Sequence, residues 1–408
     1  MKIKYVIYPL LAIVLFDDLI YLYTNIRVFG KIASIALLLF ILFHFISKKY
    51  FSISIIKAGS IFIIFIFFNL LMHIIFNIDS FSIVSFIYET YKLGIFFSLF
   101  ILILLNKSDS ISIIHFVLKL LSIFIVLNFI VLVFQHLFGA DVIKYIGINS
   151  SAMDFQTSRN RPSGLTTGAN IIGVASLFIF IILNYFLIEK EKFEFSLKQL
   201  KNIEFIRYIT VFTIVLSTSK NALLLLLLYP LFIGKIKKKY FIVIILMLIT
   251  TVYTVYSYNI YGINDKLLMY EYVINNYDSF DSKLIEHRAL SILEGFSMFV
   301  NNFPLGSGFG TWGDYSSSLN NNIDDVNCMS DSYFIHLLVE QGVFVILYFT
   351  LLFLLLRKHV LGIYMFISLF IVFIPTMGFG SSTFPYIFSF FIFLMHFKNK
   401  NHSLKISK

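Results

Sequence analysis

Long apolar runs separated by short polar connections recur along the chain from Tyr5 to Phe397. A helix rises 1.5 Å per residue, so about 20 apolar residues cross the roughly 30 Å hydrocarbon layer of a bilayer. Runs of this kind lie at 5–23, 32–47, 58–76, 83–105, 111–138, 168–188, 205–219, 221–234, 240–258, 332–356, 360–374 and 385–397. The pattern predicts an all-α polytopic membrane protein with about 12 transmembrane helices. In lipid each backbone polar group needs a partner within the protein, which a helix provides inside one segment. A membrane β-barrel would show alternating polarity, and the unbroken leucines from Leu223 to Leu228 show none. The run 111–138 exceeds what a perpendicular crossing needs, which implies tilt or extension beyond the bilayer. The runs 205–219 and 221–234 are short and predict a hairpin that stops within the membrane plane.

Composition agrees with this pattern. Hydrophobic residues make up 59% of the 408, aromatic residues 18% and charged residues only 13%, with a mean hydropathy of +0.89. A soluble domain carries about 25% charged residues, so a water-facing shell of ordinary size is missing. The first run contains Asp17 and Asp18 and is followed by no small-residue cleavage site, so it reads as a retained helix rather than a secretory signal. The single cysteine, Cys328, excludes an intrachain disulfide, and no zinc-ligand spacing occurs.

The net charge of +10 would suit nucleic acid, but its distribution points to membrane orientation instead. With the N-terminus inside, 20 of the 32 lysines and arginines fall in inner connections and 9 in outer ones. Positive charge concentrates on the cytoplasmic side of membrane proteins. Both termini are therefore expected in the cytoplasm, in a multi-pass protein of the cytoplasmic (inner) membrane, with membrane lipids and no nucleic acid as partners.

Three parts follow from this topology. Residues 1–258 form a membrane bundle of nine spans, with a medium outer loop at 139–167. Residues 259–331 form a large extracytoplasmic loop. Residues 332–408 hold the last three spans and a cytoplasmic tail. The large loop exchanges membrane composition for Asn, Asp, Gly and Ser, as in Asn320-Asn321-Asn322-Ile323-Asp324-Asp325. It also contains an amphipathic helix near 284–300, where Ile285, Ala289, Ile292, Leu293, Phe296 and Phe299 share an arc and Arg288 lies at its edge. Loops of this length in compact proteins are usually functional or disordered.

Candidate chemistry collects in the outer connections. Arg159-Asn160-Arg161-Pro162-Ser163-Gly164 sets two arginines on the side where cations are scarce. A guanidinium binds phosphate in bidentate fashion and stays charged, while a lipid-headgroup anchor is the alternative reading. His287-Arg288 precedes Pro304-Leu305-Gly306-Ser307-Gly308-Phe309-Gly310, whose Gly306, Gly308 and Gly310 permit close backbone approach to a ligand or tight packing of the loop. Lys220, after Ser217-Thr218-Ser219, stands at the turn of the short hairpin, where it either snorkels or meets an anion. Asp331, in Ser330-Asp331-Ser332-Tyr333, is placed to cap the tenth span or to orient a sugar hydroxyl, and Glu340-Gln341-Gly342 follows within that span. Asp17, Asp18, Glu89 and Lys92 fall within spans at comparable depth and are expected to form an ion-pair cluster lining an outward cavity.

Taken together, Arg161-Pro162-Ser163-Gly164 with Asn170, Ser217-Thr218-Ser219-Lys220, Arg288 with Pro304 to Gly310, and Asp331-Ser332-Tyr333 through Glu340-Gln341-Gly342 resemble the Wzy-type O-antigen and capsular polysaccharide polymerases of the O-antigen ligase/polymerase superfamily. Order, sidedness and position relative to the spans carry the resemblance, which extends over the whole topology. It implies a GT-C-like membrane glycosyltransferase. Such an enzyme transfers a growing glycan from undecaprenyl pyrophosphate to a lipid-linked repeat unit at the outer face of the membrane. A flippase and a chain-length regulator of the same pathway are the implied partners, and no cofactor is expected.

The implied roles are phosphate binding by Arg161 and Arg288, with Lys220 in support; Arg159, Gly306, Gly308 and Gly310 are further candidate contacts to pyrophosphate or sugar, and Asp331 and His287 are the candidate catalytic side chains beside the arginines. No Asp-x-Asp cluster occurs in the outer loops, which predicts a metal-independent, inverting transfer. The ligases of the superfamily carry a histidine where this chain reads Cys328-Met329-Ser330-Asp331-Ser332. The departure favours a polymerase, and His287 keeps a ligase-type transferase as the alternative. A flippase or transporter of lipid-linked oligosaccharide is the third reading.

Overall fold

A computed structural model of the chain describes residues 4–26, 28–48, 71, 107–147, 162–232, 295–308, 332–373 and 383–397. Among the described residues the regular structure is helical, with no strand. The predicted spans 58–76 (residue 71 apart), 83–105 and 240–258, the tail beyond 397, and Glu89, Lys92 and Cys328 lie outside the described residues.

The first predicted span is not one helix. α1 (Lys4–Leu15) and α2 (Asp17–Thr24) meet at Phe16 with a bend of 65°. Asp17 and Asp18 open α2, where the positive end of its dipole favours carboxylates. Both are buried, and Asp17 Oδ1 accepts from the Gly30 amide at 2.9 Å. Gly30 lies in the first turn of α3 (Val28–Lys48), so Asp17 caps a neighbouring helix across the bend. A Cβ at position 30 would lie 2.1 Å from Asp17 Cγ, which explains the glycine. Asp17 thus serves as a helix cap, while Glu89 and Lys92, expected in the same ion-pair cluster, lie outside the described residues. Leu22 on α2 packs with Ile143 and Leu165 in a small apolar cluster apart from the main core.

α4 (Lys107–Phe138) is a single helix of 32 residues, about 48 Å long. It is followed by a 3-10 turn at Ala140–Ile146. α5 (Ala169–Ile188) is the centre of the bundle, buried without a break from Ile172 to Phe186. It packs on α4, on α6 (Leu197–Leu216), α7 (Lys220–Phe232), α10 (Val360–Phe373) and α11 (Thr383–His396). Helix α6 begins at Leu197 rather than near 205, because Ser196 and Gln199 form a capping box ahead of the apolar stretch.

The peripheral helices bury one face and leave large apolar side chains exposed on the other. Ile123, Leu127 and Ile130 on α4, Phe205 and Phe212 on α6, and Ile346 and Leu347 on α9 (Phe344–Leu356) are examples. Apolar surface on that scale suits lipid rather than water. By length and composition Asp109–Phe138 and Ala169–Ile188 are able to cross a membrane, and the α1–α2 pair adds a third if it is one bent span.

The tenth predicted span is also corrected. Instead of one helix over 332–356, α8 (Tyr333–Gln341) and α9 are separated at Gly342-Val343. At the opposite end of α9 the chain ties helix ends together. Lys192 Nζ donates to the α11 carbonyls of Leu394 at 2.9 Å and Met395 at 3.4 Å. His396 Nε2 lies 2.9 Å from Leu355 O, and His359 Nε2 lies 3.6 Å from Glu189 Oε1. Lys192 brings a cation to the C-terminus of α11, where the helix dipole favours one, and together these contacts hold the connections after α5, α9 and α11 in one cluster.

Candidate functional site

The glycine-rich segment after the amphipathic stretch docks on the α8–α9 break. Ser307 N–H donates to Val339 O at 2.7 Å and Gly308 N–H to Glu340 O at 2.9 Å. In return, Val343 N–H donates to Pro304 O at 2.9 Å. Carbonyls in the last turn of a helix have no partner within it, and this loop supplies partners to two in α8. Non-helical backbone survives at membrane depth only where its polar groups are paired or face water. The N–H groups of Leu305 and Gly306 both donate to Asn302 O, and Ser307 Oγ donates to Val339 O at 3.0 Å.

Two glycines make this approach possible. Gly342 adopts φ +57°, and a Cβ there would lie 2.2 Å from Pro304 O. Gly306 adopts φ +79°, and its Cβ would lie 2.6 Å from Gly342 N. Beside the junction α8 presents His336 and Glu340, both buried, with Nε2 and Oε2 3.4 Å apart one turn along the helix. The Tyr333 ring stacks near His336, with centroids 5.6 Å apart, and Gln341 is buried next to them. Ser332, rather than the expected Asp331, caps α8: its Oγ accepts from Ile335 N–H at 3.3 Å.

A second polar assembly lies where α4 ends and α5 begins, the outer end in the charge-derived orientation. Pro162, Ser163, Gly164, Leu165 and Thr166 are all buried. Asn128 Oδ1 on α4 accepts from Leu165 N–H at 2.8 Å, and Gln135 Oε1 accepts from Gly164 N–H at 2.9 Å. Gly164 adopts φ +61°, and a Cβ there would lie 2.5 Å from Asn128 Oδ1. The Ser217-Thr218-Ser219 turn is pressed onto α5 at Gly173, where a Cβ would come within 2.3 Å of Ser219 Cβ. His136 Nε2 meets Leu216 O at 2.7 Å and ties the same turn to α4. Lys220 is exposed at the start of α7, where the helix dipole favours a nearby anion. Helix α10 packs on both α7 and α8 and so links the helices that carry the two assemblies.

Of the nine residues given a catalytic or binding role from the sequence, Gly306, Gly308 and Lys220 have described positions. Arg159, Arg161, His287, Arg288, Gly310 and Asp331 lie outside the described residues. The structure brings the Pro304–Gly308 string onto Glu340-Gln341-Gly342, and the Ser163-Gly164 turn onto α4. Sequence reading missed Asn128, Gln135 and His336. The first two are amides seven residues apart in an apolar run, and His336 and Glu340 stand at i, i+4 spacing. These polar patterns inside a membrane-length segment are the signal that finds them. Among the described residues no group of three or more His, Cys, Asp or Glu is arranged to hold a metal ion. No family model, curated protein or solved structure matches the chain.

Proposed function

We propose that this chain is a membrane glycosyltransferase of the polysaccharide-polymerase kind. It transfers a growing glycan from undecaprenyl pyrophosphate to a lipid-linked repeat unit at the outer face of the cytoplasmic membrane. An acceptor sugar hydroxyl attacks the anomeric carbon of the growing chain, and the bond from that carbon to the pyrophosphate breaks. Undecaprenyl pyrophosphate departs, and the hydroxyl proton passes to a base or to the departing phosphate. Stabilising the leaving group's negative charge with preorganised cations is the largest service such a site offers. Arg161 and Arg288 take that role here, assisted by Arg159 and Lys220, in an inverting and metal-independent transfer.

The observation that supports this reading best is the union of Pro304–Gly308 with Glu340-Gln341-Gly342. Two strings that the resemblance singles out by sequence alone prove to be one hydrogen-bonded junction beside a buried polar group. The Ser332 cap is compatible with it, since α8 has a side-chain cap other than Asp331, to which this reading gives the acceptor hydroxyl. Arg161→Ala and Arg288→Ala are expected to abolish long glycan chains while leaving protein abundance unchanged. Wild-type chain lengths in either variant sink the assignment.

A transporter of lipid-linked oligosaccharide is the second reading. It draws on the broken α1–α2 pair with its buried carboxylates, since discontinuous spans often line transport sites. Deletion separates the two. A polymerase mutant displays a single repeat unit on its final acceptor, whereas a transporter mutant displays none. If His287→Ala yields chains that polymerise without reaching that acceptor, the ligase reading wins.

A further inference from the structure

We propose that Asn128 and Gln135 are positioning residues that fix the turn from which the Arg159–Arg161 segment departs; the catalytic half of this inference rests on reading those arginines as pyrophosphate ligands. The two amides stand seven residues apart on α4, two turns on one face, and both are buried. Each points its oxygen at the loop. The groups they meet are backbone N–H donors, so the amide orientation is dictated by chemistry. Asn128 is held in turn by its own Nδ2, which donates to Phe124 O at 2.9 Å.

The turn they hold is rigid in itself. Thr166 N–H donates to Ser163 O at 3.3 Å, and Thr166 Oγ1 to the same oxygen at 2.8 Å. Gly164, with no side chain, allows Asn128 to reach the backbone. Packing alone does not explain the amides. Among the described residues Gln135 Nε2 is buried with no hydrogen-bond partner, a destabilising state that leucine or methionine at this position would avoid. The accepting oxygen is therefore the part of the side chain that repays its presence. Pro162 is buried at the start of this turn, so the clamp on Gly164 and Leu165 acts on the backbone to which Arg161 is covalently joined. Displacing a catalytic group by about 1 Å can cost about a hundredfold in rate.

The test uses full-length protein in nanodiscs and four variants. Gln135→Met and Asn128→Leu remove the acceptor at similar volume, while Gln135→Glu and Asn128→Asp keep an accepting oxygen. Hydrogen exchange of the peptide spanning 162–172 reads the clamp, and glycan chain length in cells reads its consequence. Met and Leu variants are expected to exchange Gly164 and Leu165 at least tenfold faster and to lose long chains, with both restored in the Glu and Asp variants. Unchanged protection in the Met and Leu variants overturns the clamp. Lost protection with wild-type chain lengths overturns the positioning role, as does failure of the acid variants to restore chains while they restore protection. A deletion strain with unaltered glycan refutes the polymerase reading, and the catalytic half of this inference with it. That failure is separate from failure of the clamp, which registers in the exchange measurement alone.

Discussion

Gly342→Ala is the most incisive single change in this molecule. The residue occupies φ +57° and ψ −137°, a region that side-chain-bearing residues reach only under strain. Holding alanine there costs roughly 1–3 kcal/mol. Its Cβ would also lie 2.2 Å from Pro304 O and 2.6 Å from Gly306 N, both backbone atoms that cannot swing aside. Relieving such an overlap in a packed interior costs roughly 1–3 kcal/mol more. The cheapest relief is to undock the 304–308 segment, which gives up the bonds Ser307 N–H to Val339 O, Gly308 N–H to Glu340 O and Val343 N–H to Pro304 O. Taking about 3 kcal/mol as the combined effect, opening of the junction rises roughly a hundredfold at about 1.4 kcal/mol per tenfold. Hydrogen exchange of the peptides covering 302–308 and 338–345 reads this directly. Faster exchange is expected at Ser307, Gly308 and Val343, while the centre of α5 keeps its protection. Gly342→Ala protein with wild-type protection at all three amides refutes the reasoning, because the junction would then tolerate a Cβ that its geometry excludes.

Two further outcomes test other parts of the fold. Burial holds the His359 imidazole below its usual pKa of 6.5, against the opposing pull of Glu189 and with a smaller downward push from Lys192. Its Nδ1 accepts from Leu361 N–H at 3.1 Å, so the neutral ring is the bonded form. Below pH 6.5 the unfolded chain binds a proton that the folded chain still refuses, so stability falls as pH drops from 6.5 through the folded pKa. Tm in detergent between pH 5 and 7.5 should show that slope, and His359→Asn should flatten it; an equal slope in the variant removes His359 as its cause. Asp17→Ala removes the acceptor of the Gly30 amide and should destabilise the protein by about 0.5–2 kcal/mol, while Asp17→Asn, which keeps an accepting oxygen but gives up the charge at the α2 N-terminus, should lose less. Equal Tm for the wild type and the alanine variant would show that the bond is not stabilising.

Much of the helical framework was legible in the sequence because the bilayer imposes a simple rule on it. A segment such as Ala169–Ile188 is apolar around its whole circumference and has the length of a span, so its helicity follows without knowledge of its neighbours. The same rule cannot foresee where a helix breaks. Phe16 and Gly342 lie inside runs that are apolar enough to be continuous, and both breaks depend on groups distant in sequence. Asp17 turns aside to cap Gly30, and Gly342 yields to the backbone of Pro304 and Gly306. The candidate site divides in the same way. Gly306, Gly308 and Lys220 stood out by residue type and position, whereas Asn128 and Gln135 are polar residues scattered in a long apolar helix and His336 stands in a short one with Glu340 and Gln341. Composition alone does not tell whether such a residue faces lipid, a neighbour or a loop. Asn128 and Gln135 acquire a purpose only when the chain brings Gly164 and Leu165 back to α4, because hydrogen bonding is short-ranged and its partner is chosen by tertiary structure.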